Sequence, residues 1–290
     1  MYKVLVGLVA LLFVSGVQAA ATISWTGCGI SKKAFMSEMA RAYEKEKGVK
    51  VNLSGGGATK GIRHTAQGKS EVGGSCRHLV NKPEEKGIKL VPVAWDAIVA
   101  ITHKNSPIDS ISNKDLIKVF TGKITDWKQL GAKKGGKIKT FIRKGIESGV
   151  GMMARELVFG DADINFTGTQ KFKSTGPLEK AIMKDNMAIA FDGISSAKKR
   201  DVKILKINGV APTVENIASG KYILYRPLYL VTAKTASPKI KDFVSFVVSP
   251  KGQAVIAAQG TVTLKQGANL WGPYRKHMGQ VKGKHKGVFE

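Results

Sequence analysis

The sequence predicts an α/β protein of two lobes joined by a two-strand hinge, on three observations. Short apolar, strand-like runs alternate with helical periodicity along the chain. Glycine-rich turns lead from a strand into a helix at several points. Two long apolar stretches, 92–102 and 222–233, suit buried strands that cross from one half to the other. A single continuous α/β domain is the alternative that pattern alone leaves open.

The N-terminus reads as a leader. Lys3 precedes an apolar run from Val4 to Val14, then small residues from Ser15 to Ala21, with Val17 and Ala19 in a small-x-small arrangement. Residues 1–21 are therefore expected to be a secretory signal peptide, too short for a membrane span. The first unit starts with the strand Thr22–Trp25 and the turn Gly27-Cys28-Gly29-Ile30-Ser31. A helix over 32–47 follows, with Phe35, Met36, Met39 and Tyr43 on one face and Gly48 as its stop. A strand over 49–53 runs into the turn Ser54-Gly55-Gly56-Gly57-Ala58-Thr59 and a short helix. Glu71-Val72-Gly73-Gly74 closes a third strand. Ser112 to Asp115 has the form of a capping box before a helix over 116–120. A strand over 137–143, a helix over 149–158, a strand over 187–191 and helices over 239–248 and 253–258 complete the pattern. The expected division is lobe 1 from 22–103 plus 225–272, lobe 2 from 104–224, and a loosely attached basic tail over 273–290.

Charge narrows the partners. The 290 residues carry 47 Lys and Arg against 21 Asp and Glu, a formal net charge of +26, so the field draws anions. The lysines are spread along the chain, and aromatics make up only 7%, with no stacking motif among the basic residues. Nucleic acid is therefore not expected as the main partner. His64, His78, His103, His277 and His285 are scattered, so no metal site and no cofactor is expected. Trp95 and Trp127 read as packing residues. Cys28 and Cys76 are a pair that an oxidising compartment can bridge, although sequence does not show that they meet.

A small oxyanion needs many donors: free N–H groups at helix starts, hydroxyls, and an Arg for a bidentate grip. The turns 27–31, 55–59 and 147–151 each enter a helix and carry a hydroxyl residue, and the last shares a loop with Arg143. Ile111–Trp127, Arg143 with Ser148-Gly149, the Gly-Gly-Gly turn, the 71–77 stretch and the 250–264 stretch together resemble the phosphate-binding proteins of ABC phosphate importers. The resemblance covers nearly the whole chain after the leader. It implies a type II periplasmic binding protein fold with a ligand cleft at the hinge. It further implies a periplasmic, monomeric protein, not an enzyme, that delivers phosphate or a similar oxyanion to the membrane permease of an ABC transporter. The implied ligand set falls on Ser31, Ala58, Thr59, Glu71, Arg143, Ser148, Gly149 and Val150.

The chain departs from that family where Ala58 replaces a hydroxyl residue, Glu71 an Asp, Val150 a Thr and Cys76 a residue that is commonly Ser. The Arg143-to-Ser148 spacing is also one residue longer. These departures leave open another oxyanion, or a basic interaction or sensor protein with a degenerate site. A phosphate-ester hydrolase on the same scaffold is a further alternative. The implied fold places the strands before Cys28 and Cys76 side by side, so a disulfide near the cleft is expected, with two buried thiols as the alternative. Glu71 is expected to accept the proton of phosphate and so to discriminate against sulfate.

Overall fold

The computed structural model describes residues 21–288. The expected signal peptide lies outside the described residues, apart from Ala21. The first strand, β1 (Thr22–Gly27), leads into a helical run α1 over 29–47 whose second turn, Lys32–Met36, is widened to π geometry. Phe35, Met36, Met39 and Tyr43 are all buried, as the helical spacing requires, each worth about 1.5–3 kcal/mol against exposure. Gly48 ends the run at φ 66°, a left-handed position that a side chain would strain.

Then follow β2 (Lys50–Gly55), α2 (Ala58–Ala66), β3 (Val72–Ser75) and the long β4 (Ile88–His103). Beyond β4 come α3 (Asn113–Phe120), β5 (Lys139–Arg143) and a helical run α4 over 149–159. Next are β6 (Gln170–Phe172), α5 (Thr175–Ile182), β7 (Ala188–Gly193) and β8 (Val202–Ile204). β9 (Tyr225–Ala233), α6 (Pro238–Val248), α7 (Pro250–Ala258) and α8 (Trp271–Gly279) close the chain. The Ser112 cap forms as expected: its Oγ accepts from the Asp115 N–H.

Nine strands make one curled sheet in the order β2-β1-β3-β9-β4-β7-β5-β6, with β8 also on β4. β4 links the two halves: Ile88–Ala97 pairs with β9, and Ile98–His103 pairs with β7 and β8. Its residues 93–102 are buried, which explains the unbroken apolar run. Helix α2 lies directly on β1 and β3, because Gly61 lets the backbones touch. A Cβ on Gly61 would fall 2.7 Å from the Thr26 carbonyl oxygen and 2.8 Å from that of Gly74. This close seating fixes the start of α2 at the carboxyl ends of the strands.

The segment expected as a loose tail is instead built in. α8 buries Tyr274 and Met278, and Val281 is buried beyond it. Lys282 exchanges backbone hydrogen bonds with Gly160 and Ala162, Asp163 accepts from the N–H groups of Lys284 and His285, and the Val288 N–H bonds the Leu79 carbonyl. The apolar residues Tyr274, Met278 and Val281 are spaced among lysines and glycines, which hid their periodicity. No helix of the described residues is long and apolar enough to cross a membrane.

Candidate functional site

The carboxyl ends of β1, β2 and β3 face the carboxyl end of β5 across a cleft. Two adjoining cavities lie there, of about 380 and 240 Å³, and they share Gly56, Gly57, Ala58, Arg143 and Gly149 as lining. Four helices begin at the cleft. Gly57, at φ 94°, turns the chain into α2, so Ala58 is its first residue. Ser148 caps α4, its Oγ accepting from the Gly151 N–H at 3.2 Å. Cys28 caps α1 through its sulfur, and Ser174 precedes α5. The free N–H groups of such starts are what an anion needs.

Arg143 reaches in from the end of β5. Its Nη1 donates to Thr175 Oγ1 and its Nη2 to the Lys173 carbonyl, both at 2.9 Å. Its Nε is buried with no hydrogen-bond partner among the described residues. Burial holds its pKa below the usual guanidinium value, with nearby Cys76 and Asp192 acting the other way. Lys144 and Lys173 also line the larger cavity.

Glu147 supplies the only carboxylate in either lining. That carboxylate turns away to lobe 1, pairing with Arg63 at 2.5 Å and with Lys82. Burial opposes its ionisation, but the Lys82 contact and the Arg63 charge hold the carboxyl below the usual range. The Glu147 carbonyl accepts from Thr59 Oγ1 at 2.8 Å and from Arg77 Nε at 2.9 Å, so one loop of lobe 2 is clasped by α2 and by the segment that follows β3. At the hinge, Arg226 of β9 is fully buried against Asp96 of β4, and its Nη1 donates to the carbonyls of Cys76 and Gly149.

A family model described as a PBP superfamily domain matches residues 17–251. The chain belongs to the PBP superfamily. It is 28% identical over 242 residues to the phosphate-binding protein PstS of Borreliella burgdorferi, covering 79% of this chain and 86% of that one. A solved structure with bound phosphate, of a candidate phosphate ABC transporter substrate-binding protein from Clostridium perfringens, superposes with TM-score 0.76 at 29% identity. It covers 83% of this chain and 99% of that one. An ABC-type phosphate transport receptor from Vibrio cholerae shares the fold, with TM-score 0.65 and 22% identity over 84% of this chain and all of that one. The fold of this PBP-superfamily chain is thus the type II periplasmic binding protein fold.

Ala58, Thr59, Arg143, Ser148, Gly149 and Val150 all line the cleft. Ser31 lies just behind it, fully buried, with its Oγ 3.0 Å from Cys28 Sγ and 3.4 Å from the Ser75 carbonyl. Glu71 is the correction. It precedes β3, at the end opposite the cleft, because the ladder sets Val72 against Trp25. It accepts from the Ser24 N–H at 2.8 Å and pairs with Lys239 at 2.6 Å. Four strand residues stand between it and Cys76, a separation of about 16 Å at the usual rise. It therefore reaches no cleft ligand, and the sulfate discrimination assigned to it loses its basis. Cys28 and Cys76 do come together, as two buried thiols in hydrogen-bond contact and not as a disulfide.

The sequence reading passed over Lys173, Thr175 and the start of α5. Ser174-Thr175-Gly176-Pro177 was a readable helix-start signal, with hydroxyls followed by Pro in the first turn. Trp95 and Trp127 are buried packing residues. His78 is buried between Tyr229 and Tyr274.

Proposed function

We propose that this chain captures phosphate, or a closely related tetrahedral oxyanion, in the cleft and presents it to the membrane permease of an ABC importer. The observation that carries the reading is the convergence of helix starts at Ala58, Gly149 and Thr175 with the Arg143 guanidinium on one cavity. The only carboxylate there is already neutralised. Such a site offers donors and positive charge, and among the described residues none of its lining hydroxyls has a carboxylate or imidazole beside it, which favours binding over turnover. The phosphate named for the Borreliella burgdorferi relative and bound in the Clostridium perfringens structure supports the same ligand. Placement outside the cytoplasm accords with the leader-like first 21 residues, and one cleft per chain accords with a monomer that binds one ion. Calorimetric titration with phosphate, arsenate and sulfate tests the reading. One-to-one phosphate binding at micromolar or tighter affinity is expected, with no release of phosphate from an aryl phosphate ester. Absence of heat with every oxyanion refutes it.

A further inference from the structure

We propose that Cys28 and Cys76 are a redox-convertible pair behind the anion site, and that closing their disulfide hands the donors of Ser31 to the bound ion. The proposal rests on the reading of the cleft as an oxyanion site. Its first support is placement. β1 and β3 are parallel neighbours in register Gly27 to Gly74, and the Cys28 N–H donates to the Gly74 carbonyl at 3.2 Å. Each cysteine therefore leaves the cleft end of adjacent strands, and both line the 240 Å³ cavity with Arg143. The two thiols are within hydrogen-bond reach. Gly149 closes over them from lobe 2: a Cβ there would lie 2.6 Å from Cys76 Sγ.

The second support is what the sulfur occupies. Cys28 Sγ accepts from the Ser31 N–H at 3.3 Å and meets Ser31 Oγ at 3.0 Å. As thiols, the pair thus engages the Ser31 N–H, one of the donors at the start of α1, and contacts its hydroxyl, which also reaches the Ser75 carbonyl at 3.4 Å. The thiolate form of Cys28 is more accessible than in a free cysteine. Burial opposes it, but the hydrogen bonds from Cys76 and Ser31 and the charge of Arg226 lower its pKa. A thiolate there places negative charge beside Arg143, where it competes with an anionic ligand.

The chemistry is thiol–disulfide exchange with a small disulfide, RSSR. The Cys28 thiolate attacks one sulfur of RSSR, forming a mixed disulfide and expelling RS⁻, which takes up a proton. Cys76 loses its proton and attacks Cys28 Sγ, forming the Cys28–Cys76 bond and expelling the second RS⁻, which is protonated in turn. Two S–H bonds have become one S–S bond, and RSSR has become two RSH. The bridged sulfur carries no charge and turns from Ser31 toward Cys76. The ion then gains two donors and loses a competing negative charge.

The test uses bis(2-hydroxyethyl) disulfide on the folded chain, with intact mass and thiol labelling after denaturation, then phosphate titrations of the oxidised and reduced forms. A loss of two hydrogens with no label taken up is expected, with phosphate bound at least about tenfold more tightly in the oxidised form. The C28S/C76S variant is expected to show one affinity in both conditions. Two labelled thiols after treatment, or a persistent mixed disulfide, overturns the proposal. A bridge that forms with equal affinities, or with tighter binding in the reduced form, also overturns it. A bridge that forms while neither state binds phosphate overturns the reading of the cleft, and the proposal with it.

Discussion

Arg226→Met removes the cation at the centre of the hinge and should unfold the chain more easily than almost any other single change. Arg226 and Asp96 are both fully buried. The guanidinium makes four hydrogen bonds: Nε and Nη2 to Asp96 Oδ2 at 3.3 and 2.9 Å, and Nη1 to the Cys76 and Gly149 carbonyls at 3.1 and 3.3 Å. Burial works against its charge, but Cys76 and Asp96 raise its pKa above that of a free guanidinium, so it is always a cation. Methionine matches its length without the fork. Asp96 is then left buried without its cation, with Ser195 as its remaining donor among the described residues, from N at 3.1 Å and Oγ at 2.7 Å. Stranding one partner of a buried pair costs about 3–5 kcal/mol. The D96N/R226M double variant strands no charge and keeps an acceptor for Ser195, so it should cost about 1–2 kcal/mol. Equilibrium urea unfolding of the wild type, both single variants and the double measures the cycle, and a coupling of about 4 kcal/mol or more is expected. Single-variant costs below about 1 kcal/mol, or a double variant as unstable as the sum, would refute the argument.

Arg143→Lys keeps the charge but loses the fork that also holds Thr175 and Lys173; charged hydrogen bonds are worth about 1.5–3 kcal/mol each, so calorimetry should show phosphate affinity down about 10- to 100-fold. Unchanged affinity would remove Arg143 from the site. Glu156, which accepts from the Gly287 N–H, has its pKa raised by burial from 4.5 to about 7. The native state therefore holds a proton that the unfolded state releases between those values, so stability falls as pH rises from about 4.5 to 7. Glu156→Gln should leave stability at pH 4 nearly unchanged and raise it at pH 8 by up to about 3 kcal/mol in urea unfolding; an equal effect at both would contradict the assignment. Glu147→Gln should speed phosphate release several-fold in stopped-flow while changing stability by less than about 1 kcal/mol, since its two ion pairs are only part-buried and join the lobes. Truncation after Gly279 should lower stability by about 2–4 kcal/mol in the same unfolding assay, because it exposes Val281 and its neighbours and strands the bonds to Gly160 and Asp163.

The strands and helices of the cleft were legible because each is marked locally. Gly57 must sit at positive φ, Ser148 must cap, and the face of α1 must repeat every third or fourth residue. What was not legible depends on pairing. Glu71 looked like a site residue because the 71–77 stretch resembles the family segment, and only the register of Val72 on Trp25 shows that it lies at the wrong end of its strand. The seating of α8 was hidden for a similar reason. Its core contacts are with residues distant in sequence, such as Trp95, whose ring centroid lies 5.6 Å from that of Tyr274.

Glu147 shows how a positive cleft can hold an acid without losing affinity for an anion. A bare carboxylate beside Arg143 would repel a tetrahedral anion by several kcal/mol in a desolvated site. Here the Arg143-to-Ser148 loop carries the carboxylate outward, where Arg63 and Lys82 of lobe 1 neutralise it. The same turn points the Glu147 carbonyl at Thr59 and Arg77. The loop therefore converts a repulsive charge into a contact between lobes. It also engages the Thr59 hydroxyl, which leaves the backbone starts of α1, α2, α4 and α5 together with Arg143 as donors facing the cavities. A site built this way recognises an anion mainly through backbone N–H groups and one guanidinium. Without a carboxylate free to accept a proton, its choice between phosphate and sulfate rests on shape and donor count.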